Sequence, residues 1–308
     1  WDDIVQDYHR TCPHLKLITY IAKSPDQRKY EYPINKLRNI GLDDVVTSHV
    51  LVLDIDMIPS QGLYEQTRSA IGMAIEARMD DDGDRGLDPK DAIVIPAFER
   101  KVDPPCKTLE DCQDLMTQDP SFMPDTISSL ATCIDDKDCI VFQSDVNPEG
   151  HVDTKSEEWL GRKGQEIMKL PPIPCFHSQR YEPYIIVPWC ALEANTVRRL
   201  ALWSPRSPYY DERFYGYGKN KIQQIAHLRE RGFTFHVMQT TGFVIHYPHP
   251  ESETKEAWLD AKSSDLHKKM DRLYPQYLQE LHGQYEDNYV ETPLCQSKRG
   301  TRRKTSNH

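Results

Sequence analysis

The sequence predicts an α/β fold in which a mostly parallel β-sheet is flanked by helices. The continuous apolar run at 50–54 is typical of a strand buried on both faces of a parallel sheet, and the segments at 91–99 and 181–188 are predicted to be further strands. Segments with apolar residues at helical spacing alternate with these runs. No internal repeat is present, which excludes a solenoid. Together these observations indicate one α/β layer structure rather than a bundle or an all-β fold.

The elements follow from the same patterns in chain order. The first part is predicted to contain a strand at 15–23, a helix over 32–48, the strand at 50–54, a helix over 62–79 and the strand at 91–99. Residues 101–178, rich in Pro, Asp and Cys, are expected to form a loop-rich insertion. The last part is predicted to contain the strand at 181–188, a helix over 218–232, strands at 233–239 and 242–248, and a helix over 255–285.

Length and composition indicate a single globular domain over residues 1–290. The chain has 308 residues, 38% of them hydrophobic, and no apolar run approaches the roughly 20 residues needed to cross a bilayer. The end, 291–308, contains "SKRGTRRKTSNH" and is expected to be a basic disordered tail. Because the chain starts at Trp1 rather than Met, any targeting segment is expected upstream.

Charge and cysteine content limit the function classes. The net charge of −10 excludes a nucleic-acid binder that relies on a general basic field. Eight cysteines without a CxxC spacing argue against a zinc ribbon. The even count favours disulfides in an oxidising lumen, whereas free thiols in the cytosol stay open as the alternative.

The strand "VLVLD" is followed by two aspartates, Asp54 and Asp56, one residue apart. Ligands of open α/β sheets bind beyond the carboxyl ends of strands. Two neighbouring carboxylates repel unless a cation intervenes, and carboxylate oxygens suit Mg²⁺ or Mn²⁺, which also bind diphosphates. The alternative is an Asp that caps a turn beside a solvated Asp.

Two enzyme classes place an Asp-x-Asp pair after an apolar strand. Haloacid-dehalogenase phosphatases need a Thr or Val two residues after the second Asp, where this chain has Ile58, and a later acidic pair that is missing. In GT-A glycosyltransferases the aspartates hold a metal on a nucleotide-sugar diphosphate, and a late His completes the metal shell. His246 in "TGFVIHYPH" has that position, so the second class is favoured.

Seven blocks, including "YPINKLRN", "SHVLVLDIDMIPSQGLYE", "YDERFYGYGKNKIQQIAHL" and "GFVIHYPHP", resemble the family-49 glycosyltransferases over about residues 30–250. The resemblance implies a GT-A fold, Mn²⁺ (or Mg²⁺), an inverting mechanism, UDP-glucuronate as donor and a glycan or glycoprotein acceptor. It also implies a Golgi-lumenal domain whose single membrane anchor lies outside this chain. The family's first strand and helix are expected to be truncated here.

The resemblance also assigns roles to individual residues. It places Asp54 and Asp56 on the metal motif, with Asp54 also at the donor, and His246 as the third metal ligand. On the donor side it implies Arg38, Asn39, Asn220 and Lys221. Chemistry supports cations here, because a departing UDP needs neutralisation and a glucuronate carboxylate needs an Arg or Lys partner. A solvated helix residue is the alternative for Lys221.

Inversion requires a general base, and the stretch "GYGKNK" offers no carboxylate where related enzymes carry one. Glu182 is the first candidate and Asp211 the second, each with a structural ion pair or cap as the alternative. Glu99 and His151 are candidates for the acceptor site. Two other functions stay open: a transferase using UDP-xylose or UDP-N-acetylglucosamine, and a non-catalytic GT-A-like glycan-binding scaffold.

Overall fold

The structure is a computed structural model that describes residues 16–24, 31–69, 71, 90–103, 105–119, 121–161, 172–189, 207–238, 241–252, 255–256, 258 and 264–296. The strands are β1 (His49–Leu51), β2 (Met57–Pro59), β3 (Asp91–Ile95), β4 (Ala97–Arg100), β5 (Cys139–Val141), β6 (Tyr184–Pro188), β7 (Thr234–Val237) and β8 (Val244–His246). The helices are α1 (Ile34–Asp43), α2 (Leu109–Gln118), α3 (Ile127–Asp135), α4 (Ser156–Gly161), α5 (Ile222–Glu230) and α6 (Ser264–Gln284). Two 3₁₀ turns cover Pro148–Gly150 and Val152–Thr154.

The strands form two four-stranded sheets with helices packed around them, which confirms the predicted α/β class. The orders are β1-β6-β3-β7 and β2-β8-β4-β5. The predominance of parallel pairing is not observed: β3–β7 and β4–β8 are parallel, and the other four pairs of described strands are antiparallel. The reason is that a continuous apolar run reports burial on both faces of a strand, whatever the direction of its neighbour.

Several predicted elements differ in extent. Residues 16–24 contain no strand, and the side chains of Leu17 and Ile21 are exposed. The run at 91–99 forms two strands because Pro96, which has no N–H to donate, separates β3 from β4. Of the helix predicted over 62–79, residues 63–69 and 71 are helical and the others lie outside the described residues.

Strand β3 carries the core on both of its faces. Ala92 and Val94 belong to a cluster that includes the apolar face of α5, whereas Ile93 and Ile95 pack in a second cluster around β6 and β8. All four side chains are at most 1% exposed. Burial on both faces of β3 packs the two sheets and α5 together, and this packing fixes the positions of the loops that follow the strands.

The C-terminal helix packs against the segment that precedes α5. Phe214, Ile222 and Met270 form part of a third apolar cluster between α5 and α6. The approach to α5 turns through left-handed residues, with φ of +87° at Gly218 and +57° at Lys219, so helix α5 begins later than the predicted residue 218. A Cβ on Gly218 would lie 2.6 Å from the Trp258 ring, which therefore packs directly on the glycine backbone.

Three disulfides lie within the described residues: Cys106–Cys112, Cys133–Cys139 and Cys175–Cys295. The third connects residues 120 positions apart and ties the beginning of the predicted basic tail to the body of the protein. The other tail residues, 297–308, lie outside the described residues, as does Cys190. In the described part of the chain, none of the helices is both long and apolar enough to cross a membrane. The single domain over 1–290 stays a prediction.

Candidate active site

The two aspartates lie on the tight turn that joins β1 to β2. The N–H of Met57 donates to the carbonyl of Asp54 at 3.0 Å, which closes the turn, and Ile55 between the aspartates is fully exposed. Strand β1 ends at Leu51, so Asp54 is three residues beyond it and Asp56 directly precedes β2. The two carboxylates have different partners, and they divide the site into two halves.

Asp54 is the anion of a cluster with two cations. The guanidinium of Arg38 donates to Oδ1 at 2.8 Å, and Lys221 Nζ lies 3.1 Å from Oδ2. The Tyr184 hydroxyl also donates to Oδ2 at 2.9 Å. Burial alone would raise the pKa of Asp54, but Lys221 and Arg38 outweigh it and hold that pKa well below its usual range. The cluster therefore carries one positive charge more than it carries negative charges.

The two cations of this cluster are held in place by their own neighbours. Arg38 donates to Asn220 Oδ1 at 3.0 Å and lies over the Tyr210 ring, 5.1 Å from its centroid. Burial acts to lower the pKa of Lys221, but Tyr184, Asp54 and Glu182 raise it well above the ordinary value, so Lys221 stays charged. The side chain of Arg38 is only 8% exposed.

Asp56 belongs to a separate cluster with two histidines. Its Oδ2 lies 3.4 Å from Nε2 of His246 and 3.0 Å from Nε2 of His249. One ligand atom from each of the three residues lies within 4.8 Å of the others, and this is the group of potential metal ligands found among the described residues. Asp54, predicted beside Asp56 as a metal ligand, is not a member of this group, and its carboxylate is paired with Arg38 and Lys221.

The donor set of this cluster fits a divalent transition metal. One carboxylate oxygen and two imidazole nitrogens suit Mn²⁺ better than Mg²⁺, which prefers oxygen ligands alone. Nδ1 of His249 is 2.6 Å from the carbonyl of Pro250, a contact that orients Nε2 toward Asp56. Three protein ligands would leave further coordination positions on such an ion open to another ligand. Sequence reasoning missed His249, although the spacing "HYPH" directly after a strand was a usable signal.

Glu182 lies beside the Asp54 cluster. Its Oε1 accepts a hydrogen bond of 3.0 Å from the Asn147 amide, and its N–H donates to the carbonyl of Gly150. Burial raises the pKa of Glu182, and Lys221 acts in the opposite direction. A carboxylate whose pKa is raised is a stronger base, when ionised, than one with the ordinary pKa.

His151 is buried in an aromatic wall between the two halves. Its ring faces Tyr184 at a centroid distance of 6.3 Å and Phe142 at 5.3 Å, and Phe142 in turn lies 5.1 Å from the ring of His246. Only 3% of His151 is exposed, and both of its ring nitrogens lack a hydrogen-bond partner within the described part of the chain. Burial, aided by Lys221, lowers the pKa of His151 to about 3.

The low pKa of His151 predicts a pH-dependent stability. The neutral ring is retained in the folded protein, whereas the unfolded chain takes up a proton below about pH 6.5, so stability falls with pH from there to about pH 3. His151→Phe removes this contribution. Between pH 7 and 5, the wild type should lose about 2 kcal/mol more unfolding free energy than the variant. Urea unfolding at both values tests this, and equal losses would contradict it.

The remaining predicted residues have structural partners. Asn39 bonds both backbone groups of Tyr210, through Oδ1 to the N–H and through Nδ2 to the carbonyl, so it holds that loop rather than facing the cleft. Asp211 is paired with Arg213, which also bridges to Glu280, so its carboxylate is engaged in an ion pair. This ion pair is the structural alternative predicted for Asp211.

Glu99 lies opposite His246 in the parallel β4–β8 pairing, close to the metal-ligand group. Its Oε2 accepts a 3.2 Å hydrogen bond from the backbone N–H of Gln143. The structure therefore brings Glu99 to the same edge of the sheet as the histidines, but its carboxylate supports the protein backbone there.

Comparison with known protein families assigns the chain to a family of glycosyltransferases. A family model described as "Glycosyl-transferase for dystroglycan" matches residues 3–286, so the chain belongs to this family, and the resemblance found in the sequence is confirmed.

The curated relatives carry related names. The Mus musculus "Xylosyl- and glucuronyltransferase LARGE2" is 29% identical over 253 residues, which are 79% of this chain and 29% of that protein. The Danio rerio "Xylosyl- and glucuronyltransferase LARGE1" is 28% identical over 221 residues, or 72% of this chain and 23% of that protein. The Dictyostelium discoideum "Glycosyltransferase-like protein gnt14" is 27% identical over 238 residues, 76% of this chain and 29% of its own length. The chain thus spans less than a third of each of these relatives.

Proposed function

We propose that the protein transfers glucuronate, with inversion, from metal-bound UDP-glucuronate to a glycan acceptor. The observation that carries this proposal is the single turn that holds Asp54 in a cationic cluster and Asp56 in a metal-ligand group. The names of the relatives support it, because they include both xylosyl and glucuronyl transfer.

Asp56, His246 and His249 would hold Mn²⁺ against the donor diphosphate. The ion supplies charge neutralisation for the departing UDP. Lys221 and Arg38, which keep an excess positive charge after pairing with Asp54, add to that neutralisation and offer partners for the uronate carboxylate. In this arrangement Asp54 orients the two cations instead of binding the ion.

Glu182 is proposed as the general base. As the acceptor oxygen forms its bond to the anomeric carbon, the hydroxyl proton passes to Glu182 and the bond to the diphosphate breaks, its electron pair leaving with UDP. The buried, neutral His151 and the nearby Glu99 line the acceptor side in this proposal.

We place the protein in the Golgi lumen. The three disulfides support this location, because such bonds form in oxidising compartments. The local Cys106–Cys112 and Cys133–Cys139 bridges and the long-range Cys175–Cys295 bridge would all be at risk of reduction in a cytosol.

The deciding experiment is a donor and acceptor panel. UDP-glucuronate, UDP-xylose and UDP-N-acetylglucosamine are each incubated with p-nitrophenyl xyloside and p-nitrophenyl glucuronide, with Mn²⁺ or with EDTA, and product is identified by mass spectrometry. Mn²⁺-dependent transfer of glucuronate is expected. Transfer from another donor would replace the donor assignment. UDP binding without any transfer would favour a glycan-binding scaffold.

A further inference from the structure

A short turn after β5 brings an amide to the carboxylate of Glu182. The turn begins at Gln143, which has a left-handed φ of +55° although it is not glycine. The carbonyl of Gln143 accepts the N–H of Asn147 at 2.8 Å, while its own N–H is held by Glu99. A non-glycine residue in this conformation is uncommon and is kept only where its surroundings fix it.

The amide meets Glu182 because residue 150 has no side chain. Asn147 Nδ2 donates to Glu182 Oε1 at 3.0 Å. A Cβ on Gly150 would lie 2.6 Å from Asn147 Nδ2 and 3.6 Å from Glu182 Cγ. Since contacts below 3.0 Å are not tolerated, any larger residue at 150 would push the amide away from the carboxylate.

We propose that Asn147 is a positioning residue for Glu182, orienting its carboxylate toward the acceptor hydroxyl. The proposal rests on the transferase function and on Glu182 as its base. An amide N–H can bond one carboxylate oxygen only as a donor, so it fixes Oε1 and leaves Oε2 to receive the proton.

The same hydrogen bond stabilises the ionised form of Glu182. The charged groups that act on this carboxyl are Lys221 and Arg38, which favour ionisation, and Asp54, which opposes it. Burial raises the pKa of Glu182, and the Asn147 amide works against that increase. Removing the amide should therefore raise the pKa of Glu182 further, so that the ionised base forms only at higher pH.

The first test is Asn147→Ala. We expect kcat to fall by about 10-fold or more with an unchanged donor KM, and the acidic limb of the kcat–pH profile to move to higher pH. Asn147→Asp, which keeps the shape but loses the donor, should shift the limb at least as far. A profile that does not move would overturn the proposal, because loss of packing alone does not change the pKa of the base.

The second test removes no polar group. Gly150→Ala should reproduce the Asn147→Ala phenotype by displacing the amide, and the double variant should lose no more activity than Asn147→Ala alone. Additive losses would overturn the proposal, since they would show independent effects. The matched controls are Asn288→Ala, at an exposed residue, and Gly283→Ala, where a Cβ would meet nothing within 4 Å.

A readout without turnover separates this inference from the transferase function. The carboxyl of Glu182, observed by NMR in protein labelled with ¹³C-Glu, should titrate at higher pH in Asn147→Ala than in the wild type. An unchanged titration would overturn the positioning role even if the wild type is active. If the wild type transfers no sugar but the titration does move, the contact is verified and the transferase proposal fails by itself.

Discussion

Asp56→Ala should abolish the Mn²⁺ dependence of UDP binding and reduce glucuronate transfer by roughly 10³-fold. The magnitude follows from the several kcal/mol that a bound metal contributes to neutralising a leaving group. Asp56 is the only carboxylate in the Asp–His–His group that the described residues contain, so its loss removes the anionic ligand. Calorimetric titration of UDP with Mn²⁺ and with EDTA measures the first effect, and the transfer assay measures the second.

The control for this variant is Asp114→Ala, on the exposed surface of α2. It should bind UDP and Mn²⁺ as the wild type does. Binding that persists with Mn²⁺ in Asp56→Ala, at the wild-type affinity, would contradict the metal assignment. In that case Asp54, now paired with two cations, would have to be reconsidered as the ligand.

Asp54→Asn should destabilise the protein by about 2–4 kcal/mol, because it leaves two largely buried cations without their anion. The side chains of Arg38 and Lys221 are 8% and 19% exposed. Asp54 itself is 30% exposed, so the expected loss of unfolding free energy is smaller than for a fully buried ion pair. Urea unfolding at neutral pH measures the change. Transfer should fall too, because Lys221 and Arg38 lose the group that orients them.

The stability that Asp54 contributes should also depend on pH. Since the folded pKa of Asp54 is depressed, its contribution is complete above the ordinary Asp pKa, near 4, and is lost as the pH falls toward the folded pKa. The stability difference between wild type and Asp54→Asn should therefore shrink below about pH 4.

The matched control for Asp54→Asn is Asp44→Asn, which breaks an exposed ion pair with Lys16. Such surface pairs contribute about 0–1 kcal/mol, so little change is expected. An equal loss of unfolding free energy in both variants would show that the Asp54 cluster contributes no more to stability than an exposed ion pair.

The class of fold could be predicted from the sequence, as could the segments that form the candidate site, because both depend on local patterns. An apolar run followed by Asp-x-Asp predicts a carboxylate pair just beyond β1, and "GFVIHYP" predicts the imidazole of His246 at the end of β8. The pairing of Asp54 could not be predicted, because one of its partners, Lys221, lies 167 residues away. Pattern spacing gives no information about which side chains meet across such a distance.

Two further differences have physical reasons. Val52 and Leu53 continue the apolar run beyond Leu51 without continuing the strand, since burial and strand pairing are separate properties. Asn147 lies in the segment predicted as an insertion, and its contact with Glu182 depends on the left-handed Gln143, which sequence patterns do not predict for glutamine.

The metal-ligand group also joins distant parts of the chain. His249 and Asp56 are 193 residues apart in sequence, a longer span than the 120 residues between the cysteines of the Cys175–Cys295 disulfide. An ion bound by both Asp56 and His249 would thus act as a reversible crosslink. Closing a loop of that length lowers the conformational entropy of the unfolded chain, which corresponds to about 5 kcal/mol of stabilisation of the folded protein. The metal ion of the reaction would then also stabilise the fold. In a compartment depleted of manganese, the protein would be less stable as well as inactive.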